Sequence, residues 1–195
     1  MRVLIIVVSL LFLAGCGSTP HHKQFDLSKV EARQGVIIGK INVEYNSVPF
    51  PTAGCTFCVD LDCHRLLQEG YVFMPIGRGD VYNTFFTCSY PVVGRGDHVF
   101  KVDSFAVKPG VTYFGNLLFS VNSRVTRVYK FYDSFQRKTV EETQYELTST
   151  VSVSDHISGA VEAFRRQVKH EKAQVEKNLF DVSDAFTTQE IHVEH

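Results

Sequence analysis

The sequence predicts a mainly β fold: an antiparallel β-sandwich of about eight strands, followed by a C-terminal amphipathic α-helix. Three observations carry this. From Gly35 to Val153, apolar and polar residues alternate with a period of two in short runs broken by Gly, Pro, Asn or Asp. Aromatic residues, all of them Phe and Tyr, make up 12% of the chain and suit sheet faces. After Val153 the apolar period becomes that of a helix.

The strands follow in order. In GVIIGKINVEY, Ile37, Ile41, Val43 and Tyr45 share one face, and Lys40, Asn42 and Glu44 the other, which predicts a half-buried strand. TFCVDL repeats the pattern with Phe57, Val59 and Leu61 on one side. YVFMPI, VYNTFFTCSY, HVFKVDSFAV, VTYFGNLLFSV and VTRVYKFY come next. The apolar phase slips between Val102 and Phe105, predicting a bulge there. HRLLQEG reads as one helical turn. In TQYELTSTVSV, Tyr145, Leu147, Val151 and Val153 point one way and Gln144, Glu146, Thr148 and Ser152 the other. Ile157, Val161, Phe164, Val168, Val175 and Leu179 then form one stripe of a helix from 154 to about 180, capped by Ser154 or Asp155. The stripe either packs on its own sandwich or docks a partner helix, so Ile157, Val161, Phe164 and Val168 are the partner-binding candidates. TTQEIHVEH reads as a loose, solvated tail in which His192 and His195 bind nothing.

The chain begins with Arg2 and an apolar run from Val3 to Leu13, too short to span a bilayer and fitting the apolar region of a secretory signal. Its end, Leu13-Ala14-Gly15-Cys16, resembles the lipobox of bacterial lipoproteins. The resemblance implies cleavage before Cys16, a diacylglyceryl group on its sulfur and acylation of the new amine. More than one acyl chain anchors stably where a single chain does not. Gly17, where an Asp would signal retention, resembles the pattern for the outer membrane of a Gram-negative cell. The organisation expected is a signal peptide at 1–15, a lipidated tether at 16–34, a sandwich domain at 35–153, and a helix and tail at 154–195. Removing the signal leaves 180 residues, enough for one sizeable core. The tether carries His21 and His22, read as solvated. A formal net charge of −1 offers no basic excess for nucleic acid.

Four cysteines besides Cys16 are Cys55, Cys58, Cys63 and Cys88. In an exported chain they are disulfide candidates, with three possible pairings. A bridge from Cys88 to one of the others closes the longest loop and stabilises most. A second reading takes Cys55, Cys58 and Cys63 or His64 as zinc ligands, although the second half of a zinc ribbon is missing. A third takes Cys-Val-Asp-Leu-Asp-Cys-His, ending at His64, as a variant of the c-type haem attachment motif. A thioredoxin-like Cys55-Thr-Phe-Cys58 lacks its βαβ context. Asp60 and Asp62 share a face of an exposed strand.

Gly-Arg-Gly-Asp occurs twice, beginning at Gly77 and Gly94. Gly supplies positive φ and Asp bonds nearby backbone, so both copies read as turns between strands and not as adhesive tips. No motif for a nucleophile elbow, a zinc peptidase or a phosphate loop is present, and the chain reads as no enzyme, with no cofactor.

FAVKPGVTYFGNLLF, through Phe105, Val107, Gly110, Tyr113 and Gly115, resembles a segment that joins two sandwich strands in small uncharacterised bacterial lipoproteins. With GVIIGKI and the lipobox the resemblance covers about two-thirds of the chain. It implies no catalytic residue. A transthyretin- or Ig-like sandwich on a lipid anchor is also similar in architecture to the lipoprotein of type VI secretion. The function expected is a membrane-anchored, non-enzymatic binding or structural module with a protein partner in the envelope. The alternative is a periplasmic metal, haem or thiol redox module built on Cys55, Cys58, Cys63 and His64.

Overall fold

The computed structural model of the chain describes residues 27–66, 69–168, 173–182 and 186–194. Cys16, His21, His22 and His195 lie outside the described residues, as do two residues of HRLLQEG, whose His64 and Arg65 end a strand. Among the described residues the fold is mainly β, with one α-helix and several sheets.

A short 3-10 turn at Leu27–Lys29 leads into β1 (Gln34–Tyr45). The strands β2 (Val48–Phe50), β3 (Thr56–Val59), β4 (Asp62–Arg65), β5 (Tyr71–Gly77), β6 (Gly79–Asp80), β7 (Asn83–Tyr90), β8 (Gly94–Lys101) and β9 (Ala106–Val107) follow. A long hairpin, β10 (Val111–Asp133) and β11 (Lys138–Ser154), precedes the helix α1 (Ile157–Gln167), β12 (Val175–Lys177) and β13 (Phe186–Glu194).

Seven strands form the first sheet in the order β13-β11-β10-β1-β2, with β5 also beside β1 and β12 beside the start of β10. The second sheet is β4-β3-β7-β8, all antiparallel. The larger apolar cluster joins Phe57 and Phe86 of the second sheet to Ile37, Phe114, Leu117 and Phe119 of the first. Phe86 stacks on Phe119 with ring centroids 4.3 Å apart. On the opposite face of the first sheet, Val36, Ile38, Phe73, Val111 and Tyr113 pack against Ala160 and Phe164 of the helix and Val168 just after it.

The pairing is not wholly antiparallel. β1 and β10 run parallel from Val36 opposite Val111 to Tyr45 opposite Val121. Both strands are buried on both faces at their starts, 35–39 and 111–115, the environment in which parallel pairs occur. The unbroken runs Val-Ile-Ile and Val-Thr-Tyr-Phe reflect that double burial, so β1 is half-buried only from Lys40 onward. VTYFGNLLFSV and VTRVYKFY form one strand, because Ser123 to Val125 stay paired to β11 across the polar interval.

The helix ends at Gln167, well short of the expected 180. Val168 and Val175 stand seven positions apart in the apolar stripe. The chain covers the same cluster with Val175 and Leu179 by turning extended and pairing β12 parallel to β10. The helix begins later than expected: the N-cap residue is His156, whose side chain makes no capping bond, and the Asp155 carboxylate, one position earlier, accepts the Ile157 N–H at 3.3 Å. The expected loose tail instead pairs along β11 as β13, with Ile191 opposite Tyr145 and both against the main core. The phase slip after Val102 is a break and not a bulge: β8 stops at Lys101, and the chain restarts as β9. Leu27 and Val30 pack against the helix-side cluster, within the stretch read as tether. Pro109-Gly110 makes the turn into β10, with Gly110 at φ +100°.

Candidate functional site

The cysteine region folds as a hairpin. Val59 pairs with Asp62, leaving Asp60-Leu61 as a two-residue loop with Asp60 at φ +50°. Leu61 is therefore 98% exposed and does not share a face with Phe57 and Val59. Asp60 and Asp62 do not share a strand face either. Asp60 accepts the Asn83 N–H at 3.0 Å, and Asp62 accepts that of Gly77 at 3.3 Å, so both carboxylates fix neighbouring backbone. Cys58 sits directly opposite Cys63 and is bridged to it; Cys55 is bridged to Cys88 on β7. His64 is half-buried opposite Phe57, and burial lowers its pKa. A metal, haem or dithiol role for this cluster requires the bridges in their reduced form. Among the described residues, no three His, Cys, Asp or Glu side chains converge as ligands.

The Gly-Arg-Gly-Asp copies differ from each other. The first is a bend between β5 and β6, and Arg78 donates its Nε–H to the Gln34 carbonyl at 3.1 Å. The second is not a turn. Tyr90 pairs with Gly94 around the loop Pro91-Val92-Val93, and Arg95 to Asp97 already belong to β8. Asp97 accepts from Thr87 Oγ1 at 2.6 Å and from Arg95 Nε at 2.9 Å. Gly96 is required by packing: a Cβ there would lie 2.6 Å from the Tyr90 ring and 2.8 Å from Leu147.

A buried polar relay that sequence reading did not single out links the two sheets. His98 of β8 shares a 2.8 Å hydrogen bond through Nδ1 with Ser149 Oγ of β11, and a 3.0 Å bond through Nε2 with the Tyr90 hydroxyl. The signal was present: Gly96, His98 and Phe100 alternate on the core face of β8. His98 and Ser149 are 3% and 4% exposed, and the space they border is too small for a substrate. The pair resembles a nucleophile and base only in chemistry; its geometry is that of a satisfied core histidine.

Burial lowers the His98 pKa from 6.5 to about 4, with Asp97 opposing in part. The fold holds the neutral ring, while the unfolded chain takes up a proton below pH 6.5. Stability is thus expected to fall between pH 6.5 and about 4. For Asp97, burial acts upward, but the bonds from Thr87 and Arg95 prevail and hold its pKa below 3.8, so its contribution is lost only at lower pH. Melting curves from pH 7 to 4 check this: His98→Phe should flatten the decline in that window, and an unchanged slope would remove His98 as its source.

Two open grooves flank the helix. One, of about 1090 Å³, is lined by Leu27, Val30, Arg78, Gly110, Arg165 and Glu176 among others. The second, of about 780 Å³, has Lys40, Glu44, Tyr71, Asn116, Ser154 and His156 in its wall. The partner-binding candidates divide. Phe164 and Val168 are buried against the chain's own sheet, which takes them out of reach of a partner helix; Ile157 and Val161 are half-buried on the flank. Compared with known protein families, curated proteins and solved structures, the chain matches none.

Proposed function

We propose that the protein is a lipid-anchored bacterial envelope lipoprotein, acting as a non-enzymatic binding or structural module, with Cys16 as its acylated N-terminus in the outer membrane. The observation that carries this reading is the apolar run from Val3 to Leu13 ending in Leu13-Ala14-Gly15-Cys16. Two bridges among the remaining four cysteines support export to an oxidising compartment. The apposition of the two sheets supports the sandwich reading of the fold. The grooves beside the helix are the surfaces open to an envelope protein, since the helix stripe itself is spent on the chain's own sheet.

Cys16→Ser should abolish incorporation of labelled palmitate and release the chain from the membrane fraction. A mutant that still takes up palmitate and pellets with membranes would overturn the anchor. Pull-down from native envelopes with the wild-type chain then identifies what the grooves hold.

A further inference from the structure

The hairpin of β10 and β11 continues past the rest of the first sheet. β1 leaves β10 at Val121 and β13 leaves β11 at Glu142, so among the described residues the last cross-strand pairs and the loop have no further strand beside them, although Val140 opposite Phe131 is buried. This outer stretch carries the largest concentration of exposed apolar side chains in the described chain. Phe135 is 99% exposed, Tyr132 65% and Phe131 45%, and Tyr129, Val128 and Val125, each at least 40% exposed, continue the patch along β10 where β13 still flanks β11. The other exposed large apolar residues, Val48, Leu61, Tyr82, Val92 and Val99, are scattered through the sequence, whereas these are contiguous, and a contiguous patch marks an interaction surface.

The loop is preformed. Asp133 pairs with Lys138 across its base, and the Asp133 carboxylate accepts the N–H groups of Phe135 at 2.8 Å and Gln136 at 3.1 Å. Phe135 is therefore held out at the tip by a rigid turn. Successive strand residues project to opposite faces, so Phe131 and Tyr132 leave the hairpin on opposite sides. A rigid protein groove covers one face of such a finger. A lipid interface surrounds it on both sides and at the tip.

Charge points the same way. From 130 to 138 there are three cations, Lys130, Arg137 and Lys138, and one carboxylate, Asp133, which is turned into the loop. Among the described residues Arg137 and Lys138 make no ion pair; Lys130 is bridged to Glu141, and Glu142 to His192, farther from the tip. Aromatic rings flanked by cations suit the level of lipid headgroups. A second copy of the chain fits less well, since pairing the open β10 edges would bring Arg124, Arg127 and Lys130 against their equivalents.

We propose that this hairpin tip, with Phe135, Tyr132 and Phe131 as its apolar contacts and Arg137 and Lys138 as its cations, inserts into the interfacial region of an anionic lipid leaflet. Insertion is shallow, because the open strand edges above the loop must keep their backbone groups in water. β1 and β10 run parallel from Gln34 and Val111, so the tip lies at the far end of the sheet from where the tether joins it.

The chain contains no tryptophan, so Phe135→Trp places a single fluorescent reporter at the tip of the full chain. Vesicles of phosphatidylcholine with and without phosphatidylglycerol, and with brominated acyl chains, provide the probe. A blue shift and bromine quenching are expected with anionic vesicles only, and both should fade at high salt. Adding Arg137→Glu and Lys138→Glu should weaken tip binding by roughly thirtyfold. Emission that stays water-like while the chain sediments with the vesicles overturns the tip proposal and leaves the anchor standing. A shift on anionic vesicles by a chain that does not sediment with neutral ones supports the tip and counts against the anchor. A concentration-dependent shift without lipid assigns the tip to a second copy and overturns the proposal.

Discussion

Phe164→Ala is expected to lower the melting temperature of the purified chain by roughly 10 °C. The side chain is 1% exposed and fills the space between the helix and the first sheet. Its ring centroid lies 5.6 Å from that of Phe73 at an interplanar angle of 47°, and Val36, Ile38, Val111 and Tyr113 complete the cluster. Truncating a buried Phe removes its transfer free energy and leaves a cavity, together about 3–5 kcal/mol where the walls cannot collapse. Here three strands of the first sheet, β1, β5 and β10, form the walls, and sheets relax little. Calorimetry on the purified chain measures the effect. The same change at half-buried Ile157 should cost distinctly less. Equal melting temperatures for wild type and Phe164→Ala would mean that the helix does not dock on the sheet.

The second large effect is expected from the long disulfide. Cys55 and Cys88 are 33 residues apart, and both are buried in the main core. Closing a loop of that length restricts the unfolded chain by about 3–4 kcal/mol in the chain-entropy account. Cys58 and Cys63 are only 5 apart and close a hairpin that its two-residue loop already favours, so that bridge contributes about 2 kcal/mol. Urea unfolding of Cys55→Ala with Cys88→Ala, set beside Cys58→Ala with Cys63→Ala, should rank the losses in that order. Equal losses would contradict the loop-length argument, and non-reduced peptide mapping checks the pairing directly.

Much of the strand content was legible because period-two alternation reports burial of one face. Tyr145, Leu147, Val151 and Val153 lie toward the main core as their spacing requires. Alternation says nothing where both faces are buried. Val36 to Ile38 and Val111 to Phe114 are such places, and there the parallel pairing went unread. The helical stripe beyond Val168 misled for a related reason. Val175 and Leu179 reach the same apolar cluster as Phe164, but from a strand and the segment after it; spacing along the chain records which residues meet and not by what backbone they arrive. The candidate sites were legible unevenly. Four cysteines in a chain read as exported led to the expectation of bridges, and the turn residues Asp60-Leu61 select the Cys58–Cys63 pair only once the hairpin exists. His98 carried the alternation of a core position, but its partners Tyr90 and Ser149 lie 8 and 51 residues away.

The sequence by itself determined what depends on neighbours along the chain: strand-forming alternation, turn chemistry at Pro109-Gly110, the change to a helical period after Val153, and the apolar run from Val3 to Leu13. Only the tertiary structure decided what depends on partners distant in sequence. It laid β10 parallel to β1, paired Cys55 with Cys88, turned the C-terminal segment into an edge strand, and left the tip around Phe135 uncovered. The physical reason is that a side chain's burial is the sum of everything packed against it. Local pattern specifies which face of an element seeks cover, and only the assembled sheets specify what covers it, or that nothing among the described residues does.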